Sequence, residues 1–189
     1  MWAVLKNRDY FWLWMGNTVS LVGDRVREWA MIYWVYDKSG NSPFVLSLSL
    51  FAAMLPNLLL SPVAGVWVDR WDRRRTMLIS DLVRGCLSLL LIAAVATGQY
   101  WYALGVTFLA SCAAQFFSPS RHAMVRRTVG PENLLAANSL AQTTDSVLSL
   151  AGPALGTAIF TFLGPQVAFI VDAASYFLSA ACIAMVRTS

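Results

Sequence analysis

The sequence predicts an all-α membrane protein of six transmembrane helices, and three observations carry that reading. Of 189 residues, 58% are hydrophobic and 13% charged, and the mean hydropathy is +0.58, oilier than a soluble domain of ordinary composition. The apolar runs are as long as a bilayer demands, roughly 20 residues at about 1.5 Å rise each. Between them stand charge clusters and Gly/Pro turns.

The spans fall at residues 10–36, 44–68, 76–97, 101–118, 134–163 and 165–186. The first is too long and too charged for a cleaved signal peptide and lacks a small-residue cleavage site. "DKSGNSP" ends it with turn chemistry, and Pro43 sets up the second span as a helix-starting residue. "DRWDRRR" separates the second from the third, and "TGQY" makes a tight polar turn before the fourth. A basic loop leads to the fifth, and "LGP" pairs a terminating Gly164 with Pro165 at the start of the sixth. The expectation is a single six-helix domain over residues 1–189, with no soluble domain or linker inside it.

Orientation follows from Lys and Arg. Lys6, Arg8, Arg70, Arg73, Arg74, Arg75, Arg121, Arg126, Arg127 and Arg187 fall on one side and only Lys38 on the other, which places both termini in the cytoplasm and the chain in the cell (inner) membrane. A basic excess that sorts by loop in this way explains itself by insertion, so no nucleic acid is expected as a partner. Cys86, Cys112 and Cys182 lie inside spans without CxxC spacing, so neither a disulfide framework nor a metal site is indicated. His122 stands alone in a loop. With no GxSxG, HExxH or P-loop, no enzyme is expected and no cofactor is called for.

The stretch "SLVGDRVREW" puts Asp24, Arg25, Arg27 and Glu28 in the middle of the first span, where a lone charge costs about 2.5 to 3.5 kcal/mol. The i, i+3 spacing lets Asp24 meet Arg27 and Arg25 meet Glu28. Asp24 and Glu28, four apart, share a face. Two partly neutralised carboxylates suit a proton-coupled carrier or a cationic ligand, and a charge-paired structural helix is the alternative. Asp24 is the stronger candidate because Arg25 can occupy Glu28. Asp145, inside the fifth span, is a secondary coupling candidate. Asp81 and Arg84, again i, i+3, read as a structural ion pair. Trp12, Trp14 and Trp29 read as packing and interfacial residues, or as lining of an apolar cavity.

The most specific pattern is the loop "GVWVDRWDRRRTMLISDLVRG". With Gly65, Asp69, Arg70, Arg73 and Arg74 in place, it resembles the G-x-x-x-D-[RK]-x-G-[RK]-[RK] signature of the major facilitator superfamily, Asp72 standing where the general pattern has Gly. "SLVGD", "SDLVRG" and "FFSPSRHAMVRRTVGPENLLAANSL" are similar to the branch that holds macrolide-efflux and enterobactin-export proteins. "SLAGPALGT" matches the G-P-x-x-G core of an antiporter motif through Gly152, Pro153 and Gly156, with Thr157 in place of a last Gly and Leu148 in place of an earlier one.

The resemblance implies that the Asp69 cluster closes a cytoplasmic gate between two six-helix halves, with Gly65 allowing close helix approach; Asp69 itself, at the C-terminus of its own helix, gains from a neighbouring helix N-terminus or from Arg73 and Arg74. The arginines alone would serve as well to enforce topology. It also implies that Asp172, in the sixth span, sits peripherally and is structural. The expected fold is half of a twelve-helix transporter, the C-terminal half absent, which needs a second half from a longer product, a second copy or a separate chain. The expected function is secondary, proton-coupled export of a small amphipathic compound of the drug, macrolide or siderophore class. The alternative is a non-transporting membrane scaffold. The partners are the lipid bilayer, substrate and protons.

Overall fold

A computed structural model describes residues 2–187. Six long helices carry almost all of the chain: α1 (Arg8–Lys38), α2 (Pro43–Val68), α3 (Arg73–Thr97), α4 (Tyr100–Val129), α5 (Leu134–Leu163) and α6 (Pro165–Ala184). Short 3-10 turns precede α1 at Trp2–Lys6 and α5 at Pro131–Asn133.

Local chemistry accounts for the ends. The Asn7 side chain accepts from the Asp9 and Tyr10 amides and caps α1. Asp72 does the same for α3, accepting from the Arg75 amide, so the residue that departs from the signature loop's usual Gly is an N-cap that satisfies an otherwise orphaned donor. Pro43 and Pro165 open α2 and α6. Gly98 closes α3 at φ +68°, a left-handed conformation that costs glycine little.

One boundary differs from expectation by more than a turn. The fourth helix does not end at Ser118 but runs on to Val129 with Pro119 inside it. Proline removes one backbone hydrogen bond without ending a helix whose other contacts hold, and Ser120 donates to the Phe116 carbonyl in the same turn.

Four segments are apolar and long enough to cross a bilayer on length and composition alone: Pro43–Val68, Arg73–Thr97, Pro131–Leu163 and Pro165–Ala184. α1 has the length, but the charges from Asp24 to Glu28 break its apolar run. α4 has the length and a mixed composition.

Helix α1 packs along α6 and α5, α3 along α4 and α6, and α2 along α4. Small residues make the α1–α6 crossing tight. A Cβ built on Gly23 would stand 2.0 Å from Ser175 Oγ and 3.0 Å from the Asp172 Cα, and one on Gly16 would meet Ser179 and Cys182. Close backbone approach of this kind is how membrane helices gain packing without a hydrophobic drive between them.

Two apolar cores bracket the middle of the bundle. One gathers Val26, Met31, Trp34, Leu91, Leu104 and Phe169, and the other Leu13, Met77, Phe117, Met124 and Ile183. Asp24, Arg84 and Asp172 lie between them. Along α2 and α5 the large apolar side chains point outward, among them Phe51, Met54, Leu58, Val147 and Leu150.

Candidate functional site

The charges of α1 divide between two places. Asp24 and Arg27 turn toward α3 and α6, and Arg25 and Glu28 toward α5 and the surface.

The first place is a buried network. Asp24 Oδ1 accepts from Arg27 Nη2 at 3.1 Å and from the Tyr176 hydroxyl at 2.5 Å. Its Oδ2 lies 3.8 Å from Arg84 Nη1. Arg84 Nη2 reaches Asp81 Oδ1 at 2.5 Å, and the Ser179 hydroxyl donates to Asp81 Oδ2 at 2.6 Å. The Arg84 guanidinium is held between the Phe117 and Tyr176 rings, 4.7 and 4.4 Å from their centroids, a cation–π sandwich that fixes its plane. Arg27 Nε lies 3.1 Å from Asp172 Oδ2, which also accepts from the Ser88 hydroxyl. Asp81 and Asp172 are completely buried.

The second place is half-exposed. Arg25 bridges Glu28 at 3.2 Å and Asp145 at 3.1 Å, and the three side chains are 27%, 48% and 41% exposed. Glycines of α5 make this bridge reachable. A Cβ on Gly152 would come within 3.0 Å of the Arg25 Cβ, and one on Gly156 within 2.7 Å of the Trp29 Cβ. Gly152, Pro153 and Gly156 therefore mark where α5 crosses α1. The Trp14 indole donates to Thr144 Oγ1 across the same interface.

Two cavities open beside these clusters. One of about 360 Å³ lies between α1, α2 and α4, with Asp24, Arg25, Arg27 and Glu28 on one wall and Ser49, Met54 and Thr107 opposite. The other, about 470 Å³, is lined by Asn17, Arg121, His122, Asn138, Gln142 and Asp145. Burial, with Arg121 and Arg126 nearby, pushes the His122 imidazole below its usual range and favours its neutral form.

The structure revises several sequence expectations. Asp24 and Glu28 line one cavity and pair with Arg27 and Arg25 as their spacing allows, but Asp24 is joined besides by Tyr176 and Arg84. Asp81 and Arg84 pair, but as part of a larger assembly that includes Asp24. Asp172 is not peripheral, because α6 is wedged against α1 and α3 and carries it inward. His122 and Arg121 do not stand apart in a loop but line the α1–α4–α5 cavity.

In the signature loop, Asp69 closes α2, its amide bonded to the Gly65 carbonyl at 3.2 Å. Among the described residues it makes no ion pair with Arg73 or Arg74. Arg74 instead donates to the Ile183 carbonyl at 3.1 Å and to that of Ala184, where a cation complements the C-terminus of α6. Nothing lies within 4 Å of a Cβ built on Gly65, so this glycine serves no close approach within the six helices. Arg70 lines an apolar groove with Trp71, Ile79, Val83 and Phe116.

Comparison with known proteins bears on the family of the chain. The family described as transmembrane secretion effector matches residues 1–189. The uncharacterized MFS-type transporter YkuC of Bacillus subtilis (strain 168) is 25% identical over 93% of this chain and 41% of its own length. Macrolide efflux protein A of Streptococcus pyogenes is 26% identical over 94% of this chain and 44% of its own. YfiS, another uncharacterized MFS-type transporter of Bacillus subtilis (strain 168), is 27% identical over 87% and 39%. No solved structure matches. The chain thus spans about two fifths of these relatives, and it belongs to the transmembrane secretion effector family of the major facilitator superfamily.

Proposed function

We propose that this chain is the N-terminal half of a secondary exporter that moves a small amphipathic compound outward in exchange for protons, with all six helices crossing the cell membrane and both termini in the cytoplasm. The observation that carries the reading is the cavity between α1, α2 and α4. Its α1 wall presents Asp24, Arg25, Arg27 and Glu28, while Leu50 and Met54 of α2 make an apolar side. An amphipathic molecule with a polar or charged group on one side fits those two walls. Macrolides are the first compounds to test, because relatives are named for their efflux.

Asp24 links the cavity to the buried network, being part of the cavity wall and at the same time bonded to Arg27 and Tyr176. A carboxylate in that position gains or loses a proton at a cost set by its neighbours, and a change in helix packing changes those neighbours. Alternating access then needs a second six-helix half to complete the cavity. The outward-facing apolar residues of α2 and α5 suit that half or lipid. Asp69, Arg70 and Arg73 take the role of a gate against the second half, where Gly65 has room for a close neighbour.

The experiment is transport in proteoliposomes by this half joined to a second six-helix half, with and without a proton gradient. Gradient-dependent movement of a macrolide supports the reading. Normal insertion and assembly with no movement of any amphipathic compound would favour a non-transporting scaffold.

A further inference from the structure

We propose that the groove beside the α2–α3 loop binds one anionic phospholipid, its phosphate held by Arg70 and Arg75 and an acyl chain laid against α3 and α4. Helix packing makes the groove. α2 and α3 each lie along α4, and the loop from Asp69 to Asp72 joins them at one end. The floor is α4, at Ala113 and Phe116, the walls are α3 and the loop, and the space is about 630 Å³.

Its two ends differ in chemistry. Arg70 and Arg75 stand at the loop end with Asp72, and neither guanidinium has a carboxylate partner among the described residues. Asp72 is occupied as the cap of α3, accepting from the Arg75 amide. Two cations against one anion leave this end with one net positive charge. From there the wall runs along α3 through Ile79 to Val83, about 12 Å from Arg75 at 1.5 Å per residue. The Thr76 and Ser80 hydroxyls on that wall are taken up by the Asp72 and Ala113 carbonyls, so it asks nothing polar of a ligand. Ile79 and Val83 are exposed, and the apolar face continues beyond them at Leu82 and Leu90.

Aromatic rings mark the level between the two ends. Trp71 stacks on Phe116 with ring centroids 5.8 Å apart and meets Trp67 edge-on at 5.7 Å, the side-chain type that settles at headgroup depth in membrane proteins. A cationic end, an aromatic collar and an apolar slot follow the order of a negatively charged phospholipid from phosphate to tail. The site needs only that the chain lie in a bilayer, as its family does, and stands apart from the export reading.

The test is tryptophan quenching in nanodiscs of phosphatidylcholine with a minor share of phosphatidylglycerol, bromine being placed on the acyl chains of that share or of an equal share of phosphatidylcholine. The difference between the native chain and Trp71→Phe isolates Trp71 among the eight tryptophans. Quenching of Trp71 is expected to show about fivefold enrichment of phosphatidylglycerol, which one net positive charge supplies at a membrane surface. The preference should vanish in the double variant Arg70→Gln, Arg75→Gln. The double variant Arg8→Gln, Arg126→Gln loses as much charge from residues that do not line the groove and should keep it. Native mass spectrometry, counting the phosphatidylglycerol retained per chain, makes the same comparison without Trp71→Phe. Equal quenching by the two lipids overturns the site, and so does a preference lost as readily in Arg8→Gln, Arg126→Gln, since charge over the whole surface would then explain it. The native chain is measured again joined to a second six-helix half: a preference retained supports the site, and one abolished gives the groove to that half and overturns lipid as its occupant.

Discussion

The two charge clusters on α1 are built from the same five-residue stretch and obey opposite physics. Asp24 and Arg27 precede and follow Arg25, so the two pairs are offset by one residue, about 100° around the helix. That rotation sends one pair into the interface with α3 and α6 and the other toward α5. Inside, Arg27, Asp81, Arg84 and Asp172 are at most 15% exposed, and Asp24, 27% exposed on the cavity wall, is where this cluster meets the cavity. Outside, Arg25, Glu28 and Asp145 are 27% to 48% exposed, and solvent screens what they gain from pairing. A charged pair in a membrane helix therefore has no fixed worth; its value depends on which neighbouring helix it faces.

The sharpest way to break this comparison is to remove one cation from each side. Arg84→Met strands Asp81 in the bundle with only Ser179 as a donor and is expected to cost about 3 to 5 kcal/mol. Arg25→Met should cost less than about 1 kcal/mol. Unfolding in mixed micelles, followed by circular dichroism, measures both. Equal losses would show that burial does not separate the clusters.

Glycines sharpen the packing side of the same contrast. Gly23→Ala pushes a methyl group into Ser175 and against the α6 backbone, for an expected loss of about 1 to 3 kcal/mol and a weakened network, because Asp172 is carried on that backbone. Gly65→Ala meets nothing within the described six helices, so it should be neutral or stabilising by up to about 1 kcal/mol through helix propensity. Any cost of Gly65→Ala that appears only with the second half present would show a close approach there.

A smaller effect is expected at the loop. Arg74→Gln releases the Ile183 and Ala184 carbonyls at about 1 kcal/mol, and hydrogen exchange should quicken at the end of α6 with little change in α1. Uniform quickening throughout the bundle would mean that Arg74 does more than cap one helix.

Much of this was legible because it is local. The helices followed from apolar length and from Pro43, Gly98, Gly164 and Pro165. The pairs Asp24 with Arg27, Arg25 with Glu28, and Asp81 with Arg84 followed from i, i+3 spacing, which a helix enforces regardless of what surrounds it. What could not be read was contact between helices. Nothing in the spacing says that Asp172 meets Arg27, that Tyr176 bonds Asp24, or that Arg121 and His122 turn toward Asn17 and Asp145. Those depend on how α6 and α5 are rotated against α1, and the glycines that set the rotation, Gly23, Gly152 and Gly156, show their role only once a partner helix stands beside them. The end of the fourth helix was not legible at Ser118 either, since a proline such as Pro119 inside a helix and one at its end look alike in sequence.

The most direct measurement is proton-gradient-driven export of a macrolide by proteoliposomes in which this half is joined to a second six-helix half, comparing the native protein with Asp24→Asn and Glu28→Gln. The buried network is predicted to carry coupling, so Asp24→Asn should abolish gradient-driven movement while sparing exchange that needs no net proton flux, and Glu28→Gln should reduce the rate only mildly. Normal rate and normal pH dependence in Asp24→Asn, with loss in Glu28→Gln, would contradict the account and move coupling to the exposed bridge with Arg25 and Asp145.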